Sequence, residues 1–93
     1  MVYVVTLETP PDVPDDARTA QRDAIKALAE QGTLLLAGPC TDGKGGIAIL
    51  RAGSIEEARA IYEKTPFAAG GWVKWTMREW DARTGALAGH LSA

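Results

Sequence analysis

Three of the four extended segments in this chain are apolar on both of their faces. Residues 2–7 put Val2 and Val4 on one side and Tyr3, Val5 and Leu7 on the other. Residues 33–37 oppose Leu34 and Leu36 to Leu35 and Ala37, and residues 47–51 oppose Ile47 and Ile49 to Ala48 and Leu50. A sheet that is wet on one face should alternate apolar and polar positions, so these strands call for an apolar cover on both faces. With 93 residues the chain is one small domain, and its two helical segments can cover only one face. The other cover must come from a weakly patterned C-terminal stretch or from a second copy. Burying about six aliphatic side chains per subunit contributes roughly 1.5–3 kcal/mol each. Over two subunits that exceeds an association cost of about 4–15 kcal/mol. The pattern predicts a homodimer joined sheet face to sheet face.

The segments between the strands have helical spacing. From about residue 15 to residue 31, Ala17, Ala20, Ala24, Ile25, Ala27 and Leu28 form an apolar stripe, with Arg22, Asp23, Lys26 and Glu30 mostly off it. Asp15 and Asp16 suit a helix N-terminus, and Gly32 suits the position just beyond its end. Ser54 followed by Glu57 is a capping box for a second, shorter helix that Pro66 stops at about residue 64. Residues 67–71 are expected as loop. Residues 72–80 alternate partly, with Val73, Trp75 and Met77 opposite Lys74, Thr76 and Arg78, and are expected as the last strand. The stretch 38–46, rich in Gly, predicts an open hairpin loop. The resulting order, βαββαβ, with right-handed crossovers closes into a ferredoxin-like α+β fold. Its four strands form one antiparallel sheet, with both helices on one face. Residues 1–82 make the domain and residues 83–93 a C-terminal tail.

Composition excludes several classes. A net charge of −2, from ten basic and twelve acidic residues, leaves no electrostatic footprint for nucleic acid. The apolar runs are far too short to span a bilayer, and the N-terminus carries no secretory pattern, so the expected location is the cytoplasm. The single cysteine, Cys40, rules out an internal disulfide and is expected as a small buried thiol. One His and one Cys make no metal-ligand set of usual spacing, and no cofactor motif appears. His90 lies in the tail and is expected in solvent. Trp72, Trp75 and Trp80 suit core or interface packing better than a pocket.

Three polar residues stand out. Gln21 shares the apolar stripe of the first helix, where a polar group needs a hydrogen-bond partner; the other option is a fringe position reaching solvent. Arg18 can meet an anionic ligand, pair with Asp15 or lie on a solvated face. Asp42, in the Gly-rich hairpin, is of a type that commonly bonds its own backbone.

The ordered set of Tyr3-Val4-Val5, Arg18 and Gln21, Gly32, Leu34-Leu35-Leu36-Ala37-Gly38-Pro39, Asp42, Ser54-Ile55-Glu56-Glu57-Ala58, Pro66-Phe67 and Trp80 resembles the YciI-like (YCII-related) family of the dimeric α+β barrel superfamily. The likeness covers about residues 1–81. It implies a ferredoxin-like subunit, a dimer with facing sheets, and a cleft whose usual polar pair is a His on the first helix and an Asp after Gly-Pro. Asp42 matches that Asp. Gln21 stands where the His is expected, and Thr65 where many relatives carry an Asp. Two functions follow. The first is binding of a small polar or aromatic metabolite in a cleft near Gln21 and Asp42, with Arg18 and Gln21 as binding residues. The second is a cofactor-free enzyme of lyase, isomerase or hydrolase type with Asp42 as acid/base and Arg18 orienting an anion. The missing His favours the first.

Overall fold

The computed structural model describes residues 1–91. Strands β1 (Val2–Glu8), β2 (Leu34–Pro39), β3 (Gly45–Arg51) and β4 (Lys74–Glu79) form one antiparallel sheet in the order β2-β3-β1-β4. Helices α1 (Asp15–Glu30) and α2 (Ile55–Glu63) provide the two crossovers. This is the ferredoxin-like α+β unit that the apolar periodicity predicts. Two short helices complete it: α3 (Pro66–Ala69) and α4 (Ala88–Leu91). No helix among the described residues is long and apolar enough to cross a membrane.

Local chemistry explains the helix ends. The Ser54 Oγ accepts the Glu57 N–H at 3.1 Å, and the Glu57 carboxylate reaches back to accept the Gly53 N–H, also at 3.1 Å. The box thus closes one residue earlier than its usual form, on Gly53 rather than on Ser54. At the end of α1 the Thr33 N–H bonds the Leu28 carbonyl and the Gly32 N–H bonds that of Ala29. This is a Schellman motif, and it places Gly32 at φ +79°, a conformation that glycine adopts without steric cost.

The core lies between the sheet and the helices. Tyr3, Val5, Leu34, Ala48, Leu50 and Met77 from the sheet meet Ala58 and Tyr62 from α2. A second cluster of Val13, Phe67 and Val73 sits under α3. The second strand differs from the simple alternation expected of it. A register shift between Leu34 and Leu36 places Leu34 opposite Leu50 and Leu36 opposite Ile49. Leu34 therefore joins the core, and Leu36 falls on the opposite face. A β-bulge inserts one residue and changes which side later residues face.

The face away from the helices is only partly bare. Val2 and Ile49 lie on it yet are just 4% and 9% exposed. The tail turns back towards this end: Arg51, paired with Val2, donates from Nη2 to the His90 carbonyl at 3.2 Å. What stays open is Leu36 at 52% and Ile47 at 46% exposed, beside half-buried Val4. The other half of that face carries Thr6 and Thr76, whose hydroxyls bond each other at 2.8 Å, together with Lys74 and Arg78. The open apolar patch is therefore smaller than strand patterning alone suggests.

Two further expectations are revised. Residues 67–71 are not all loop, because α3 occupies Pro66–Ala69. Cys40 is not a buried thiol but a free, exposed one in the hairpin.

Candidate functional site

The sheet beneath the first half of α1 carries very small side chains. Ala37 of β2 pairs with Ala48 of β3, and Gly46 pairs with Leu7 of β1. A Cβ on Gly46 would come within 2.9 Å of the Gly38 carbonyl oxygen, so the backbones approach where only glycine fits. With no bulk rising from this floor, a cavity of about 370 Å³ remains between α1 and the β2–β3 hairpin. Such a volume lies in the range of about 300–1,000 Å³ usual for small-molecule sites. Leu7, Ile25, Ala37, Ala48 and Phe67 give it apolar walls, Tyr62 of α2 lies on one side, and Arg18, Gln21 and Arg22 of α1, with Thr9 just after β1, supply its polar groups.

Gln21 is the one buried residue of α1, at 7% exposed. Its Oε1 accepts the Phe67 backbone N–H at 2.8 Å, across 46 positions of sequence. That N–H lies in the first turn of α3, where helix donors have no partner of their own. The side chain of Thr65, just before α3, makes no capping bond there; its Oγ1 donates instead to the Tyr62 carbonyl at 2.8 Å. Because an N–H can bond only the oxygen of the amide, the orientation of Gln21 is determined, and its Nε2 has no hydrogen-bond partner among the described residues.

Arg18 is half-buried and folds back on the loop before α1. Its Nε donates to the Val13 carbonyl at 3.3 Å and its Nη2 to that of Pro10 at 3.5 Å, rather than pairing with Asp15. Asp42 is exposed at the hairpin turn. Its Oδ1 accepts the Lys44 N–H at 2.8 Å, and it is Gly43, at φ +76°, that reaches the cavity wall. The fold thus brings Arg18 and Gln21 to one cavity and sets Asp42 at the tip of the hairpin beside it. His90 lies exposed in α4, against the opposite face of the sheet. Among the described residues no group of three or more His, Cys, Asp or Glu comes together.

Tyr62, on the buried face of α2, carries no sequence signal of a site role. It is fully buried, tilted at 57° against Trp75 with ring centroids 4.8 Å apart, and burial pushes its phenol up to about 12. Its hydroxyl, like that of Tyr3, has no hydrogen-bond partner among the described residues. No signal at position 62 separates a wall tyrosine from a core one; the small residues opposite it, on β2 and β3, make the difference.

The fold is shared with solved proteins. It superposes on the 5-chloro-2-hydroxyhydroquinone dehydrochlorinase TftG from Burkholderia phenoliruptrix, solved with 2,5-dihydroxybenzoquinone, with a TM-score of 0.71 and 22% identity, covering 86% of this chain and 93% of that one. It also superposes on a muconolactone isomerase with a TM-score of 0.70 and 13% identity, covering 92% of this chain and 93% of that one. In sequence, the uncharacterized protein YjpA of Bacillus subtilis is 36% identical over 59 residues, which are 63% of this chain and 69% of YjpA. The model of the YCII-related domain matches residues 1–81, and the chain belongs to that family.

Proposed function

We propose that this protein binds a small planar metabolite in the cavity under α1 and does so as a homodimer. The carrying observation is the cavity itself: an apolar space of about 370 Å³ with the buried Gln21 amide on its wall. Its polar groups are few and its walls apolar, the usual balance of a site that fixes a ligand's orientation without holding it by charge alone. Arg18 and Arg22 add positive charge for an acidic substituent. A ring compound such as the 2,5-dihydroxybenzoquinone bound to TftG suits this balance in chemistry and size.

A second reading draws on the fold likeness to two enzymes: Asp42 acts as acid/base in cofactor-free chemistry, with Arg18 orienting an anion. Against it stands Gln21 at the position of the family's His, since an amide does not titrate and cannot shuttle a proton. The Asp42 carboxylate is also occupied in part by the Lys44 N–H.

One titration separates these readings, with 2,5-dihydroxybenzoquinone as the probe, followed by calorimetry and by product analysis. Binding is expected to be saturable without turnover. Ala37→Leu fills the cavity floor and should abolish binding while the protein stays folded. Asp42→Asn keeps the oxygen that the Lys44 N–H needs, so affinity and melting temperature should hold. Turnover by the native chain that disappears in Asp42→Asn would establish the enzyme instead. No binding, by the native chain, of this probe or of an uncharged ring would refute the ligand site.

The dimer reading rests on Leu36 and Ile47, which stand exposed on the sheet face away from the helices. Sedimentation at micromolar concentration should give twice the 9.9 kDa chain mass. Ile47→Asp puts a charge at the centre of the patch and should give the single-chain mass. A native chain that sediments as a monomer refutes the pairing.

A further inference from the structure

Among the described residues, only two buried side-chain polar atoms lack a hydrogen-bond partner, and both are tyrosine hydroxyls. Tyr3 and Tyr62 are each fully buried. A phenylalanine would pack either ring without leaving a desolvated hydroxyl unpaired, and an unpaired buried hydroxyl is unfavourable. The two differ in place. Tyr3 lies in the closed part of the core, whereas Tyr62 forms part of the cavity wall opposite α1.

We propose that Tyr62 is the specificity-determining hydrogen-bond donor of the ligand site, giving its O–H to an acceptor oxygen of a planar ligand that Gln21 Nε2 also bonds. This rests on the reading of the cavity as a ligand site and names the class of ligand: a ring bearing carbonyl, phenolate or carboxylate oxygens. The polar side chains lining the cavity are richer in donors than in acceptors: Arg18, Arg22, Gln21 and Tyr62 all offer N–H or O–H, and Thr9 and the tyrosine hydroxyl can also accept. The Gln21 oxygen is already engaged by the Phe67 N–H, so the amide presents N–H alone. The Tyr62 phenol stays protonated through the physiological range, because burial disfavours its anion. Arg18 and Arg22 have no acceptor to offer. A ligand rich in acceptors satisfies such a set, and one that brings its own N–H groups leaves them unpaired.

The test compares the native chain, Tyr62→Phe and Tyr3→Phe, with two probes of similar shape: 2,5-dihydroxybenzoquinone, which carries acceptor oxygens, and p-xylene, which carries none. Tyr62→Phe should melt no lower than the native chain. It should lose roughly 10- to 100-fold in affinity for the quinone, the size of one hydrogen bond to a charged oxygen, and keep its affinity for p-xylene. Tyr3→Phe should likewise melt no lower and should leave both affinities unchanged. Gln21→Glu keeps the oxygen needed by the Phe67 N–H and removes the donor, so at neutral pH it should weaken the quinone and spare p-xylene even where Tyr62→Phe proves too unstable to assay. Undiminished quinone affinity in Tyr62→Phe, or an equal loss for both probes, overturns the proposal while leaving the ligand site intact. A native chain that binds neither probe overturns the ligand site and the donor pair together.

Discussion

The two halves of the helix-covered sheet face are built in opposite ways. Under α2, bulky Tyr3, Leu50 and Met77 fill the space, and this nine-residue helix buries both Ala58 and Tyr62. Under α1, the floor is Ala37, Gly46 and Ala48, and a sixteen-residue helix buries one residue, the polar Gln21. The helix ends follow the same division. Ser54 caps α2 with its side chain, whereas Pro14 begins α1 with no side-chain cap. Packing density supplies stability on one side, and its absence leaves a cavity on the other. The size of the side chains along one sheet makes that difference, with no change in topology.

That division is broken or sharpened first by truncation. Leu50→Ala, at a fully buried position on the packed side, should cost about 2–5 kcal/mol in urea unfolding. Ile25→Ala faces the cavity and is half-buried, so it should cost only about 1 kcal/mol, the transfer part of a half-buried side chain with little new void. Equal costs would mean that the α1 side is packed as tightly as the other.

A smaller effect lies in alkali. The chain has two tyrosines, and both are buried. Burial raises Tyr62 from 10.0 to about 12 and raises Tyr3 as well, with Glu79, Glu56 and Glu57 adding to the shift at Tyr3. An acid whose pKa is raised by folding contributes stability that is complete below its unfolded value and is lost as pH climbs through the folded one. Stability should thus hold up to about pH 10 and then fall towards pH 12. Absorbance near 295 nm should show no free phenol titrating at pH 10 before the protein unfolds. A probe that occupies the cavity should move that whole transition to higher pH. An ordinary phenol step at pH 10 in the folded protein would show that one tyrosine is reached by water.

Much of the fold is legible because its signals are local. The Ser54 box, the Gly32 terminus, the helical stripe through Ala17 and Ile25, and the β-branched run after Met1 each rest on neighbours within a few positions. The errors share one cause. Gly45 and Gly46 look like loop, yet they pair as strand with Glu8 and Leu7. Residues 66–69 look like a break, yet they turn once because Gln21 accepts the Phe67 N–H. Leu35 looks like an ordinary strand position, yet a bulge there sends Leu34 and Leu36 to opposite faces. Each feature is decided by a partner distant in sequence.

The sequence alone determined the βαββαβ order, the two main helices and the unusual presence of apolar residues on both sheet faces, since periodicity of 2 or 3.6 needs nothing beyond the segment that carries it. It also marked Gln21 as a polar residue on a buried stripe. The tertiary structure decided where empty space remains. A cavity is a sum over side chains from α1, β1, β2, β3 and α2, and small residues such as Ala37, Gly46 and Ala48 have the same local pattern whether a neighbour fills the gap above them or not. It decided likewise that Tyr62 stands at the cavity wall and Tyr3 in closed core, because the difference between the two lies in what they face rather than in what flanks them.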